Sequence, residues 1–395
     1  MSLGRDSCSR RPCARGAAPV TAPPQLNAAL AGCTIVIAAD RRSAELASAL
    51  ERRGARVCRA PALSIVPNAD DEELLRRTRE LIADPPDIVV VSTGVGFRGW
   101  MDAAHEHDLS EQLTRALSAA RFIARGPKAR GAIQQAGFAA EWVAESELSA
   151  EVAAHLLSSS VAGARVAVQH HGSGSDGLDE QLAAHGAEVV NLTVYRWGPA
   201  PDPQLVRRTA AQAAYGGADA VLFTSAPGAD AWIRAAKRAG AVPGMRARSQ
   251  SGRLLIGAVG PITARPLDEA GLVTTIADRG RLGSLARCVI RHFDETGAAP
   301  SLRTTGGTLS MRSGGAVLDG RFIPLSGTGV KVLGALFDAR GRVLSREELA
   351  RTLPRAGHKS HAAEMAVARI REALGGAEVV STVVKRGYRL AVEVV

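Results

Sequence analysis

Between residues 30 and 295 short apolar runs alternate with longer amphipathic stretches. The run from Gly32 to Ala38 opens a strand, a helix follows as far as Arg53 and Gly54, and Ala55 to Arg59 makes a second strand. The run from Gly163 to Gln169 opens the same series, with a helix to His185 and Gly186 and a strand from Ala187 to Asn191. Asp87 to Gly94 answers Asp219 to Ala226, and Arg121 to Pro127 answers Leu254 to Pro261, so the unit recurs at an offset of 131 to 134 residues. The apolar runs show little polar alternation, as expected of strands buried on both faces. Strands separated by helices predict parallel sheets with helices on both sides. Two copies predict two doubly wound α/β domains.

The pattern changes near residue 300. Asp294 to Ser301 and Thr304 to Gly307 are rich in Gly, Thr and Pro and read as a tether. Beyond it, Ser345 can cap a helix, with Glu348 three residues on returning the bond. From Ser360 to Leu374 the helical period puts Ala363, Val367, Ile370 and Leu374 on one face and leaves Arg369 and Arg371 off it. Thr382 to Leu390 then places two short runs around a basic turn, Lys385, Arg386 and Gly387. Helix, helix and basic hairpin in that order predict a winged helix, with one helix for the major groove and a charged wing for the backbone.

Charge sharpens this reading. The chain has 49 Lys and Arg against 39 Asp and Glu. Residues 303–395 hold 15 against 8, residues 1–30 hold 4 against 1, and the 30 against 30 of the middle cancel. The excess sits at the two ends, which suits a localised phosphate-binding surface. Five cysteines without regular spacing argue against a disulfide framework. The leader has Arg residues but no apolar core, so a secretory signal is not expected, and no stretch reaches bilayer-spanning length. A cytoplasmic protein with a disordered start is expected.

Candidate chemistry concentrates at the carboxyl ends of the predicted strands, where parallel sheets bind ligands. These ends carry Ser92, Thr93 and Gly94; Gly126 and Pro127; Thr224 and Ser225; and Gly260 and Pro261. Hydroxyls and free amides at helix starts hold carboxylates or phosphates, and the same groups cap helices. Lys128 and Arg130, with Arg125 beside them, add cations to the first copy, where the second has Ile262 and Ala264, and Ala129 stands where the second has Thr263. His170 and His171 lack further ligands at metal spacing. The stretch from Gly172 to Gly177 lacks the acidic partner of a dinucleotide site. There is no phosphate-binding loop motif, and neither cofactor nor metal is expected.

Residues 309–395 resemble the DNA-binding domain of OmpR/PhoB-type response regulators. The match rests on Leu318 to Ser326, Val343 to Leu349, Arg369 to Leu374 and Thr382 to Leu390, which fall in order. The resemblance implies double-stranded DNA as partner, pairing on direct repeats, and DNA contacts from Lys359, Ser360, Arg369, Arg371, Lys385, Arg386 and Tyr388. No receiver domain with a phospho-acceptor pocket precedes it. Residues 30–295 resemble uroporphyrinogen-III synthase, through Asp219 to Ser225, Gly260 to Ala264 and Tyr195. That family implies two α/β domains in which the first βαβ unit belongs with the C-terminal half. The expected division is a leader at 1–29, one domain from 30–62 and 198–295, a second at 63–197, a linker at 296–308 and a winged helix-turn-helix at 309–395. The family closes hydroxymethylbilane with inversion of one ring and uses no cofactor. By this resemblance Tyr195 is the proton donor, and Ser92, Thr224, Ser225, Gly260 and Thr263 bind the substrate's carboxylates; Thr93 and Gly126 at the strand ends and Lys128 of the basic trio, which is not the family's pattern, join them as candidate binding residues. The missing hydroxyl at Ala129 departs from the family pattern. Two functions follow: a transcriptional regulator that binds a tetrapyrrole precursor or similar polycarboxylate, or an active synthase with a DNA-binding appendage. Actinobacterial proteins of such fused architecture are tied to nitrate and nitrite assimilation.

Overall fold

A computed structural model describes residues 28–40, 42–67, 72–170, 176–278, 280–294, 299–353, 360–376 and 378–393. The leader through residue 27, His171, residues 296–298 of the expected linker and Lys359 lie outside them.

The chain begins one sheet with β1 (Thr34–Ile37) and β2 (Arg56–Arg59), then leaves through β3 (Ser64–Pro67). It builds a second sheet from β4 (Ile88–Val91), β5 (Arg121–Ala124), β6 (Ala140–Val143), β7 (Arg165–His170) and β8 (Glu188–Thr193). It returns through β9 (Tyr195–Gly198) and completes the first sheet with β10 (Ala220–Phe223), β11 (Leu255–Ala258) and β12 (Thr274–Ile276). The orders are β12-β11-β10-β1-β2 and β6-β5-β4-β7-β8, with every pairing within these two sheets parallel. The first βαβ unit therefore pairs with the C-terminal half. We call the sheet containing β1 domain 1 and the sheet containing β4 domain 2.

Both sheets are buried on both faces, which explains the unbroken apolar runs. In domain 1, Val36, Val221, Phe223 and Ile256 pack with Trp232, while Ile35, Ile37, Leu222 and Leu255 pack on the other side with Leu46 and Leu285. In domain 2, Val89, Val91 and Phe122 face Trp100, and Val90, Ile123 and Val168 face Leu156. The repeat extends to its punctuation. Gly54 and Gly186, at φ +90° and +83°, turn a helix into the next strand in the left-handed conformation that a side chain would resist.

Antiparallel β3 and β9 form the connector, with Ser64 opposite Gly198 and Pro67 opposite Tyr195. β3 leaves from the carboxyl end of β2, and β9 starts at the carboxyl end of β8. The connector thus spans from the carboxyl edge of one sheet to that of the other, and we call these two edges, where the sequence places the ligand site, the walls of the candidate cleft.

The C-terminal unit opens with a four-stranded antiparallel sheet, β13 (Ser301–Thr304), β14 (Gly307–Arg312), β15 (Gly315–Leu318) and β16 (Arg321–Pro324). Helices Gly327–Asp338, Arg346–Arg351 and Ser360–Ala373 follow, then the wing of β17 (Val380–Val383) and β18 (Gly387–Leu390). The expected linker is too long at its C-terminal end. Ser301–Thr304 is a strand paired to Gly307–Ser310, because Thr305 and Gly306 make a turn rather than a flexible run. The turn is held by Thr305 N to Ala391 O at 2.8 Å and Thr305 Oγ1 to Glu378 O at 2.7 Å.

Candidate functional site

The cleft wall of domain 2 is built from the ends of β4, β5 and β7. Thr93 caps helix Gly94–Glu106, its Oγ1 accepting from Gly96 N at 3.1 Å, while its own amide donates to Gln169 Oε1 at 3.2 Å. Gln169 is wholly buried and lies against Gly96, where a Cβ would come within 2.0 Å of its Nε2. It fixes the floor of this wall, yet in sequence it reads only as the last residue of an apolar strand. Ser92 Oγ is buried with no hydrogen-bond partner among the described residues. His170 is buried, with its Nε2 2.8 Å from Oδ2 of the half-buried Asp179.

Gly126 starts helix Pro127–Gln135 in extended conformation, and Glu147 leans over it so closely that a Cβ would meet Glu147 Cγ at 2.9 Å. Lys128 and Arg130 are exposed on that helix. Arg125 is the inward cation. Its side chain is 20% exposed and pairs with Asp176 at 3.7 Å. Burial lowers its pKa, and the charges of Asp176, Tyr195 and Glu147 oppose that shift. Sequence reasoning placed Arg125 only as a neighbour of Lys128, because a strand's last residue does not disclose which way it turns.

The wall of domain 1 is its counterpart with fewer charges. Ser225 caps helix Ala226–Arg238, accepting from Gly228 N at 3.3 Å. Thr224 precedes it, half-buried. Gly260 opens helix Pro261–Glu269 with empty space where a Cβ would stand, and Thr263 is buried one turn in. Tyr195 is only 4% exposed. It sits in the connector, edge-on to Trp197 at 5.6 Å, and packs as a staple of that connector.

The second surface is the reader. Ser326 and Ser345 cap its first two helices, and Ser345 with Glu348 forms the reciprocal box read from sequence. Ala363, Val367, Ile370 and Leu374 are buried in its core. The outward face of helix Ser360–Ala373 carries His361, Met365, Ala368, Arg369 and Glu372. At the wing tip Val384, Lys385 and Arg386 are exposed, as is Arg389, which the sequence reading did not single out.

Two residues expected at the DNA surface lie elsewhere. Arg371 Nε and Nη2 both donate to Val380 O, at 3.0 and 2.9 Å, and Nη2 also reaches Thr382 Oγ1 at 2.8 Å. The guanidinium stands 5.8 Å from the centre of the Tyr388 ring. Tyr388 is itself buried in the reader's core. Together they fasten the wing to the helix. Arg371 thus commits Nε and Nη2 to the wing strand and leaves Nη1 uncommitted in these bonds. Gly387 lies flat against Leu344 O, where a Cβ would come within 2.0 Å, and so pins the base of the wing.

Among the described residues no helix is long and apolar enough to cross a membrane. No cluster of three or more His, Cys, Asp or Glu among them is arranged to hold a metal.

Comparison with known proteins covers both parts of the chain. Residues 44–287 match the family model of uroporphyrinogen-III synthase HemD, and residues 320–390 match that of the C-terminal domain of transcriptional regulatory proteins. An uncharacterized protein, YjjA of Bacillus subtilis (strain 168), is 25% identical over 67% of this chain and 98% of its own length. A variant of uroporphyrinogen III synthase from the extreme thermophile Thermus thermophilus is 26% identical, with a TM-score of 0.54 over 66% of this chain and 98% of that one. The wild-type enzyme in another crystal form is 28% identical, with a TM-score of 0.46 over 66% of this chain and 97% of that one. The HemD match takes in more than half of the chain and both walls of the cleft, so the chain belongs to the uroporphyrinogen-III synthase HemD family and carries, fused to it, an OmpR/PhoB-type DNA-binding domain.

Proposed function

We propose that this protein is a DNA-binding transcriptional regulator whose synthase-like module takes a tetrapyrrole precursor, or a polycarboxylate of the same kind, in the cleft between its two α/β domains. The observation that carries the reading is the pairing of two surfaces in one chain. One is a reader with an exposed basic wing. The other is a pair of facing strand edges whose helix starts are capped by Thr93 and Ser225, with Arg125 on the domain 2 edge. Helix starts and a partly desolvated guanidinium both favour anions. Thr93, Ser225 and Gly260 hold carboxylates through hydroxyls and the amides of the helix starts. Arg125 and Lys128 neutralise charge on the domain 2 side. Arg369 meets base edges, while Lys385, Arg386 and Arg389 meet phosphates.

Binding is favoured over turnover by the placement of Tyr195. A proton donor must reach the leaving hydroxyl within about 3 Å, and Tyr195 is held in the hinge at 4% exposure. The first copy also lacks the hydroxyl that Thr263 supplies to the second, with Ala129 in its place. The test is a coupled assay on the full chain. Hydroxymethylbilane is supplied and the uroporphyrinogen isomers are separated. The regulator reading expects saturable binding by calorimetry and no III isomer above the spontaneous background. Abundant III isomer that is lost in Tyr195→Phe establishes the synthase instead. Target genes of nitrate assimilation or tetrapyrrole synthesis are tested by sequencing the genomic fragments that the protein retains.

A further inference from the structure

The reader is seated on domain 1 by a built interface. The turn Ser313-Gly314 between β14 and β15 enters the base of the domain 1 sheet, at its amino-terminal edge. Ser313 N donates to Asp219 Oδ1 at 2.9 Å, and the Ser313 hydroxyl donates to Asp219 Oδ2. Thr34 N donates to Asp219 Oδ2 at 2.7 Å, and Gly314 N donates to Gly32 O at 2.9 Å. Beside them Arg312 is buried. Its guanidinium donates to Phe293 O at 2.6 Å and Ala29 O at 3.2 Å, and stands 4.8 Å from the centre of the Phe293 ring. Phe322 of β16 fills the space where Gly32 has no side chain. At the rim Arg253 pairs with Asp338 at 2.5 Å and lies over the Phe337 ring.

The internal repeat shows that this seam is specific to domain 1. Asp87 is the counterpart of Asp219, and its Oδ2 accepts from Arg165 N at 2.8 Å, just as Asp219 accepts from Thr34 N. In domain 2 the base is closed by Arg165 itself, paired with Glu80, Asp84 and Glu188. In domain 1 the same position holds Thr34, and the reader's Ser313 completes the carboxylate's shell. A buried carboxylate needs that shell, since a lost partner leaves the charge uncompensated.

We infer that domain 1 and the reader form one rigid body, and that domain 2 is the arm that moves, swinging on the β3–β9 connector. The joint is there because the chain passes between the two α/β domains only through that connector. The seam and the cleft lie at opposite ends of the same strand. From Asp219 to Thr224 is about 17 Å at 3.3 Å per residue. Occupancy of the cleft therefore reports to DNA through the position of domain 2, not through a loosening of the reader. This last consequence rests on the cleft reading above, whereas the rigid body does not.

The test uses the full chain with spin labels on keto-bearing residues introduced in turn at Arg115 of domain 2, Arg238 of domain 1 and Lys331 of the reader, all exposed. The 238–331 distance distribution is expected to be single and narrow, and the same with and without DNA. The 115–331 distribution is expected to be broader, and to move when hydroxymethylbilane is added. Ser313→Asp, which sets a second carboxylate against Asp219, broadens 238–331 while DNA affinity stays within about twofold. Arg253→Ala does so to a smaller degree at the rim and serves if the first variant does not fold. A 238–331 distribution as broad as 115–331 in the unmodified chain overturns the rigid body. A 115–331 distribution as narrow as 238–331 overturns the moving arm. If hydroxymethylbilane moves neither distance while 238–331 stays narrow, the cleft reading fails and the rigid body stands.

Discussion

Removing the two cations at the wing tip isolates the electrostatic part of DNA binding. Lys385 and Arg386 are exposed, on a turn where Lys385 adopts φ +61°. Neither belongs to the reader's core, so Lys385→Ala with Arg386→Ala leaves the fold intact. Each phosphate contact releases counterions worth about 0.9 in the slope of log K against log salt, so losing two flattens that slope by about 1.8. Between about 50 and 200 mM salt, a fourfold change, the unmodified protein then loses about 12-fold more affinity than the double variant. Fluorescence anisotropy on one labelled duplex over a salt series measures it. The control is Arg371→Met, which loses the two hydrogen bonds to Val380 O, the one to Thr382 Oγ1 and the contact with Tyr388. A charge-assisted bond contributes about 1.5–3 kcal/mol, reduced here by partial exposure, so the reader should be destabilised by about 1–2 kcal/mol. Its salt slope should stay that of the parent. A double variant with the parent slope refutes the wing assignment, and an Arg371 variant that flattens the slope refutes its placement as a fastener.

Other outcomes are equally open to measurement. Ser345→Ala removes one half of the capping box and should lower reader stability by about 1 kcal/mol in thermal unfolding. Gly32→Ala forces a side chain into the left-handed region and into the Phe322 ring, which a Cβ would approach to 2.0 Å. It should cost about 2–4 kcal/mol, partly restored by Phe322→Leu. Burial lowers the pKa of His292, with Arg312 acting in the same direction. The unfolded chain then takes up the proton more readily than the folded one, so this group's contribution is full above the ordinary His value and is lost as pH falls towards the folded one. The melting temperature of the parent should therefore drop more steeply from pH 7 to pH 5 than that of His292→Gln, and parallel curves would refute that assignment.

Much of this architecture was legible in the residues. Runs such as Ile88–Val91 and Ala220–Phe223, short, β-branched or apolar throughout and bounded by turn residues, read as strands covered on both faces, and their repetition gave two parallel-sheet domains. The capping box at Ser345 and the apolar stripe from Ala363 to Leu374 gave the reader's helices. What was hidden depends on partners distant in sequence. Nothing in the sequence marks Ser313 or Arg312 until Asp219 and Phe293 are brought against them. Arg371 and Tyr388 look like nucleic-acid ligands by type and position, yet a neighbouring strand's carbonyl and the reader's core claim them first. In the cleft, Thr93 and Ser225 were readable because a cap acts within three residues. Gln169 and Arg125 were not, because a side chain at a strand end can turn either to the floor or to the cleft.

The central claim is that one chain couples an anion-binding cleft to a DNA reader. It is tested most directly by measuring the affinity of the full chain for a genomic fragment it selects, with and without saturating hydroxymethylbilane at fixed salt. Linkage requires that a ligand sensed through DNA binding shift that affinity, by about 5- to 150-fold for a coupling of ordinary size. The account predicts such a shift in the parent and its loss in Arg125→Ala with Ser225→Ala. An affinity that the ligand leaves unchanged, from a protein that calorimetry shows to be saturated with it, contradicts the account.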